Sequence, residues 1–128
     1  MAKQKILIAD DEAQIREILR IYFEKEGFEV IEAEDGAAAI LKVQSEKPDI
    51  LLLDEPLTSL DVVVAEEMKQ LLRAKKDGRI TIFSTHIMDL ALDLCDVIVL
   101  LSHGELEVVD KENLGEEQFK AVSYTHLR

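Results

Sequence analysis

The chain has 128 residues, of which 48% are hydrophobic and 33% charged, and its formal net charge is −12. A chain of this length and composition can bury a hydrophobic core as a single domain, so disorder of the whole chain is not expected. The negative charge argues against nucleic acid or an anionic membrane as a partner, because both would repel the protein.

The sequence also contains features that predict the cellular location of the protein. No apolar run approaches the roughly 18 residues that a membrane span needs, and the N-terminus leads directly into a predicted strand, with no room for a signal peptide. The single cysteine, Cys95, cannot form an internal disulfide, which favours a reducing compartment. We interpret Cys95 as a core residue in an apolar helical stretch, with a reactive thiol as the alternative. These features together predict a cytoplasmic protein.

The first half of the sequence alternates strand and helix patterns. Lys5–Ala9 is a short apolar strand that runs into an acidic loop. The apolar residues that follow have helical spacing, and Gly27 is a typical residue to end that helix. The patterns then predict a strand at Phe28–Ala33, a helix at Ala37–Glu46 and a buried strand at Ile50–Leu53 that ends at Asp54.

The second half continues the alternation. The predicted elements are a helix at Val62–Lys76, a strand at Ile80–Phe83, a helix at Ile87–Cys95 and a strand at Val97–Leu101. His103 and Gly104 indicate a tight turn into a further strand at Glu105–Val109, which would form a small hairpin. A final helix is expected around Glu112–Val122.

This alternation predicts a three-layer, flavodoxin-like α/β fold, with a five-stranded parallel sheet covered by helices on both faces. In such sheets ligands bind beyond the carboxyl ends of the strands. Four polar residues fall at predicted strand ends, namely Asp10, Asp11, Asp54 and Ser84. Their coincidence at one edge of the sheet indicates a functional site.

Three of these residues are carboxylates that would repel one another. At ~5 Å and an effective dielectric near 20, each pair costs about 3 kcal/mol. A proton or a cation must offset that charge, and oxygen-rich sites suit Mg²⁺. We therefore predict a Mg²⁺ site at Asp10, Asp11 and Asp54. The alternative is that these residues only cap the first and third helices.

The first 54 residues resemble the receiver domain of bacterial two-component response regulators. The matching segments are Lys5–Glu12, Gly27–Val30, Ala33–Gly36 and Lys47–Asp54. The resemblance implies that Asp10 and Asp11 hold Mg²⁺ and that Asp54 accepts a phosphoryl group from a histidine kinase or a small phosphodonor. It places Ser84, or Thr85 beside it, where a receiver keeps the hydroxyl that contacts the phosphoryl group. It also implies the strand order 2-1-3-4-5.

From about residue 50 to residue 115 the sequence resembles instead the nucleotide-binding domain of ATP-binding cassette ATPases. Leu51–Pro56 resembles a Walker B strand with its catalytic glutamate, which would be Glu55. Ser59–Asp61 resembles the D-loop, and Ile82–His86 resembles the strand that carries the switch histidine. The Gly-x-x-x-x-Gly-Lys-Ser/Thr loop that cradles nucleotide phosphates is missing, as is the Leu-Ser-Gly-Gly signature, so ATP hydrolysis is not expected.

Without bound nucleotide, the cassette-like residues have simpler interpretations. Glu55 is then a solvated loop acid, Asp61 an N-terminal acid of the third helix, and His86 a histidine at a helix N-terminus. The receiver resemblance is also incomplete, because the segment Val97–Ser102 lacks the lysine that a receiver keeps at the end of its fifth strand. We therefore expect Mg²⁺ binding with residual or absent phosphorylation of Asp54.

The two resemblances meet in Leu51–Asp54, a strand that ends in a Mg²⁺-associated aspartate in both families. The chain is therefore interpreted as one α/β domain made of a receiver-like segment (1–54), a cassette-like segment (55–115) and a disordered or artefactual tail (116–128). Three hypotheses follow for its function. They are a receiver-like, Mg²⁺-binding module of phosphorelay signalling, a cassette fragment without ATPase activity, and a designed or accidental chimera with no evolved activity.

Overall fold

The computed structural model describes residues 3–74 and 78–109. These residues form two compact units, one that extends to Ser84 and one that begins at Thr85. The final helix predicted around 112–122 and the tail predicted at 116–128 lie outside the described residues. The interpretation as a single domain with three segments stays a prediction.

The first unit contains a four-stranded parallel sheet in the order β2-β1-β3-β4. Its elements are β1 (Lys5–Ala9), α1 (Ala13–Lys25), β2 (Glu29–Ala33), α2 (Gly36–Glu46), β3 (Ile50–Asp54), α3 (Val62–Arg73) and β4 (Ile80–Ser84). Ala9 pairs with both Ala33 and Leu53 in the register of the sheet, and Asp54 pairs with Ser84. The carboxyl ends of all four strands are therefore level, as a common binding edge requires.

The core of the first unit lies around β1 and β3. The residues Ile6–Ala9 are buried without interruption, which is the pattern of a parallel strand covered on both faces. The largest fully buried side chains are those of Leu7, Ile8, Leu51, Leu53 and Met68. Burial of each such side chain stabilises the fold by about 1.5–3 kcal/mol. The site described below is thus attached to the most tightly packed part of the unit.

The helices lie close to their predicted ranges and differ from them in detail, as α2 and α3 show. On α2 the side chains of Ile40 and Val43 are buried, whereas Leu41 is exposed and faces away from the core. Helix α3 ends at Arg73, and Ala74 after it is extended, with its carbonyl accepting a hydrogen bond from Arg79 (3.1 Å); the predicted end at Lys76 lies outside the described residues. No helix among residues 3–74 and 78–109 is long and apolar enough to cross a membrane.

The second unit consists of α4 (Met88–Leu94), β5 (Ile98–Ser102) and β6 (Glu105–Val109). β5 and β6 pair antiparallel, which confirms the predicted hairpin. The turn residues His103 and Gly104 have φ values of 50° and 80°, the left-handed pair that a two-residue hairpin turn requires. A small apolar cluster of Ala91, Ile98 and Leu100 lies between the hairpin and α4.

The prediction of a five-stranded parallel sheet with the order 2-1-3-4-5 is wrong in its fifth strand. The parallel sheet has four strands, and β5 belongs to a separate two-stranded sheet with β6. The two-residue turn closes the β5–β6 pairing at a small cost in loop entropy. Pairing of β5 with β4 would also require closing the longer connection that contains α4, which costs more loop entropy.

Candidate functional site

Three carboxylates meet at the carboxyl edge of the parallel sheet. Asp10 and Asp11 directly follow β1, and Asp54 is the last residue of the neighbouring strand β3. One carboxylate oxygen of each residue lies within 4.8 Å of the other two. Asp10 is half-buried, and Asp11 and Asp54 are exposed. The level register of β1 and β3 thus brings together the three acids that the sequence singled out.

These acids line a cleft of about 230 Å³. Three further carboxylates, those of Glu34, Asp35 and Glu55, also line it, and no lysine or arginine lies among its described lining residues. Sequence reasoning missed Glu34 and Asp35, although both directly follow β2. Because β2 is the other neighbour of β1, the strand-end rule that found Asp10 and Asp54 could have found them too.

Asp10 is held by three hydrogen bonds. Its N–H donates to the carbonyl of Ala33 (3.2 Å), and its Oδ1 accepts from the N–H of Glu12 (2.9 Å). Its own carbonyl accepts from Nη1 of Arg16 (2.5 Å). The N-cap of α1 is Glu12, which forms no side-chain capping bond. Helix capping therefore does not account for the two acids at this position.

The Asp54 side chain is oriented by a residue at the end of the neighbouring strand β4. Its Oδ1 accepts a hydrogen bond from the Ser84 hydroxyl at 2.6 Å. The side chain that caps α3 is Asp61, which accepts from the N–H of Val64 at 2.9 Å. The alternative that Asp54 caps the third helix is therefore wrong, and the N-terminal role expected for Asp61 is confirmed. Ser84 is the hydroxyl that fixes the orientation of the Asp54 carboxylate.

The loop after Asp54 is tightly built. The N–H of Glu55 donates to both the carbonyl and the hydroxyl oxygen of Ser84 (3.2 and 3.1 Å). Glu55 has a left-handed backbone with φ 44°. On the other side of the loop, a Cβ added to Gly36 would stand only 2.5 Å from the Pro56 carbonyl oxygen. Glycine at the start of α2 thus permits the loop to approach and close one wall of the cleft.

Three other residues considered in the sequence lie in the second unit. The Thr85 hydroxyl accepts a hydrogen bond from the N–H of Ile87 (3.0 Å), just before α4. His86 precedes α4 by two residues, close to the helix N-terminus at which it was expected. Cys95 follows α4 and packs, half-buried, against the apolar cluster of that unit, in agreement with its interpretation as a core residue.

The carboxylate cluster fits the demands of Mg²⁺. The three carboxylate oxygens lie within 4.8 Å of one another. In octahedral Mg²⁺ coordination adjacent oxygen ligands stand about 3 Å apart and opposite ones about 4.2 Å apart, so the cluster is of the size that one ion requires. The open side of the cleft leaves room for the water molecules that Mg²⁺ usually retains. The residues that would hold the ion are therefore Asp10, Asp11 and Asp54.

Comparison with known sequences gives two groups of relatives. PhoP of Bacillus subtilis, an alkaline phosphatase synthesis transcriptional regulatory protein, is 43% identical over 68 residues, which are 52% of this chain and 28% of PhoP. CysA of Vibrio cholerae, a sulfate/thiosulfate import ATP-binding protein, is 39% identical over 74 residues, which are 56% of this chain and 20% of CysA. The chain thus spans less than a third of the length of either relative.

Comparison with solved structures gives response regulators. TrrA from Thermotoga maritima, in complex with Mg²⁺-BeF, has 32% sequence identity and a TM-score of 0.54, over 73% of this chain and 82% of TrrA. The beryllofluoride-activated NtrC receiver domain has a TM-score of 0.55 at 22% identity, over 73% of this chain and 75% of that one, and supports the fold alone. The sequence profile of the response regulator receiver domain matches residues 6–97. The chain therefore belongs to the response regulator receiver domain family.

Proposed function

We propose that the chain is a Mg²⁺-binding receiver module of phosphorelay signalling in which Asp54 is the phosphoacceptor, with residual or absent phosphorylation. The observation that carries this proposal is the convergence of Asp10, Asp11 and Asp54 within 4.8 Å. Receiver domains bind Mg²⁺ at an acidic pocket, and they interact with histidine kinases and phosphodonors. The Mg²⁺-BeF complex of the related TrrA supports the same assignment here.

The chemistry assigned to Asp54 follows from its exposure and its hydrogen bond. A carboxylate oxygen of Asp54 attacks the phosphorus of the donor, and the bond from phosphorus to the donor breaks, with its electron pair leaving on the donor. Mg²⁺ at the cluster supplies positive charge that offsets the carboxylates and the phosphoryl oxygens. Ser84, which donates to Asp54 at 2.6 Å, would donate to a phosphoryl oxygen instead once Asp54 is phosphorylated.

The expectation of weak phosphorylation rests on charge. Six carboxylates line the cleft, and its described lining residues include no basic side chain. The strand Ile98–Ser102 also lacks the lysine that the receiver resemblance implies. A phosphoryl group brings further negative charge into this field, so its transfer is disfavoured unless cations compensate. The net charge of −12 also favours a protein or a small phosphodonor as the partner over nucleic acid or a membrane.

The test combines a Mg²⁺ titration with a phosphodonor. We expect Mg²⁺, and Mg²⁺ with beryllofluoride, to raise the melting temperature of the protein, and acetyl phosphate to add little or no phosphoryl mass. The shift should disappear in Asp54→Asn. The matched control is Asp61→Asn, which makes the same change outside the residues that line the cleft, while asparagine can still cap α3.

Either of two results would reject the proposal. One is a melting temperature that does not respond to Mg²⁺ in the wild-type protein. The other is a response of equal size in Asp54→Asn, because that result would place the ion elsewhere. Stoichiometric mass addition at Asp54 would leave the metal assignment intact but would overturn the expectation of weak phosphorylation.

As a second candidate we propose, from the sequence resemblance alone, that residues 55–115 are a fragment of an ATP-binding cassette domain joined to a receiver segment at 1–54. Glu55 lines the cleft beside Asp54, as a Walker B pair would require. The missing phosphate-cradling loop predicts no ATP hydrolysis. An ATPase rate above background that is lost in Glu55→Gln would favour this candidate. A protein indifferent to Mg²⁺, phosphodonor and ATP would instead be a chimera without evolved activity.

A further inference from the structure

A charged network joins α1 to β2 next to the acidic cleft. Nε of Arg16 lies 3.3 Å from Oε1 of Glu32, and Arg20 pairs with the second carboxylate oxygen of Glu32. The side chains of Arg16 and Glu32 are only 16% and 19% exposed, whereas that of Arg20 is 48% exposed. An ion pair this far from solvent restricts the Arg16 side chain more than an ordinary surface pair would.

Arg16 makes a second contact that Arg20 does not share. Its Nη1 donates to the main-chain carbonyl of Asp10, while its Nε faces Glu32. The guanidinium group is planar and presents its donors in a fixed geometry, so one side chain bridges the two acceptors. The main chain at Asp10 is thereby connected to a carboxylate of the neighbouring strand.

We infer that Arg16 is a positioning residue of the proposed Mg²⁺ site and acts by fixing the main chain of Asp10. This inference rests on the proposed function. The other two anchors of Asp10 are main-chain N–H groups, its own and that of Glu12. Arg16 therefore supplies the anchor that a side-chain substitution can remove.

The charge of Arg16 acts in the opposite direction to its positioning effect. A positive charge close to the site repels Mg²⁺, so removal of that charge alone would tighten binding. Removal of the hydrogen bond lets Asp10 shift away from Asp11 and Asp54, which weakens binding. The sign of the change in Mg²⁺ affinity therefore separates the two effects.

The experiment compares Arg16→Gln with Arg20→Gln, because each removes one positive charge beside Glu32 and only the first removes the contact with Asp10. The Mg²⁺ dissociation constant is measured at fixed ionic strength from amide NMR shifts, together with the melting temperature without Mg²⁺. Loss of an outer partner of a metal ligand typically weakens affinity about 10-fold or more, and we expect this for Arg16→Gln. Arg20→Gln should bind Mg²⁺ at least as tightly as the wild-type protein does, because it removes a positive charge and keeps the contact with Asp10.

The outcomes are distinguishable. Wild-type protein that binds no Mg²⁺ overturns the proposed function and this inference with it. Wild-type protein that binds Mg²⁺, with equal affinities in the two variants or tighter binding in Arg16→Gln, overturns the inference alone. If Arg16→Gln does not fold, Arg16→Lys is used, because it keeps the charge but replaces the planar guanidinium with a single ammonium. Weaker Mg²⁺ binding in Arg16→Lys supports the inference, and wild-type affinity contradicts it.

Discussion

The two units of the chain are held together in different ways. In the unit that ends at Ser84, strands far apart in the sequence pair in parallel around fully buried side chains such as Leu7 and Leu51. In the unit that begins at Thr85, two adjacent strands pair through a two-residue turn, and the large apolar side chains of one hairpin face stay exposed. The acidic site depends on the register of the first unit, so its geometry should be sensitive to changes there and insensitive to changes in the hairpin.

The largest expected effect separates the two cores. Leu51→Ala removes a side chain that is 0% exposed in β3, and it should lower the free energy of unfolding by about 3 kcal/mol, because of lost burial and a residual cavity. Leu100→Ala makes the same chemical change in the hairpin unit, where the cluster is smaller, and should cost less. Urea unfolding measures both losses. An equal loss in the two variants would contradict the distinction between the cores.

An intermediate effect is expected at two glycines. Gly36→Ala places a Cβ against the Pro56 carbonyl and the Leu60 side chain, and should destabilise the protein by about 2 kcal/mol through overpacking. Because Pro56 belongs to the wall of the cleft, Mg²⁺ binding should weaken as well. Thermal unfolding and a Mg²⁺ titration test both statements.

The matched glycine lies in the hairpin. Gly104→Ala meets no neighbouring atom but must adopt φ +80°, which costs about 1–2 kcal/mol and should leave Mg²⁺ binding unchanged. Gly104→Asn should cost less than Gly104→Ala, because asparagine tolerates left-handed backbone. Weaker Mg²⁺ binding in the hairpin variants would show that the site does not depend on the first unit alone.

The smallest expected effect concerns the helix starts. Asp61→Ala removes the side chain that caps α3 and should cost about 1 kcal/mol, whereas Asp61→Asn keeps an acceptor and should be nearly neutral. The N-cap of α4 is Ile87, which makes no side-chain capping bond, so Ile87→Ala should show no loss of this origin. Urea titrations measure the free energies of unfolding of these variants. Equal losses in Asp61→Ala and Asp61→Asn would exclude capping as the cause.

The sequence was most informative about strand ends. Apolar runs that stop at an acid placed Asp10, Asp11 and Asp54 at one edge, because adjacent parallel strands end together. The turn at His103 and Gly104 could also be predicted, because a two-residue hairpin turn needs left-handed backbone, which glycine adopts readily. The place of β5 was predicted wrongly, because its apolar pattern fits pairing with β6 alone as well as pairing with both β6 and β4.

Contacts made by long side chains could not be predicted from the sequence. The contact of Arg16 with the Asp10 carbonyl depends on how one guanidinium group crosses between α1 and β2, and no residue spacing encodes it. Glu34 and Asp35 were missed for a different reason, since their strand-end position was visible in the sequence.

The left-handed backbone at Glu55 has a consequence for engineering. A non-glycine residue in that conformation costs roughly 1–2 kcal/mol, and here the cost falls in the loop that follows the proposed phosphoacceptor. Glycine at position 55 would relieve it and offers a route to greater heat tolerance. The same change would remove a carboxylate from the cleft and increase the conformational freedom of the loop. Thermostability and an ordered cleft wall are therefore competing design goals at this position.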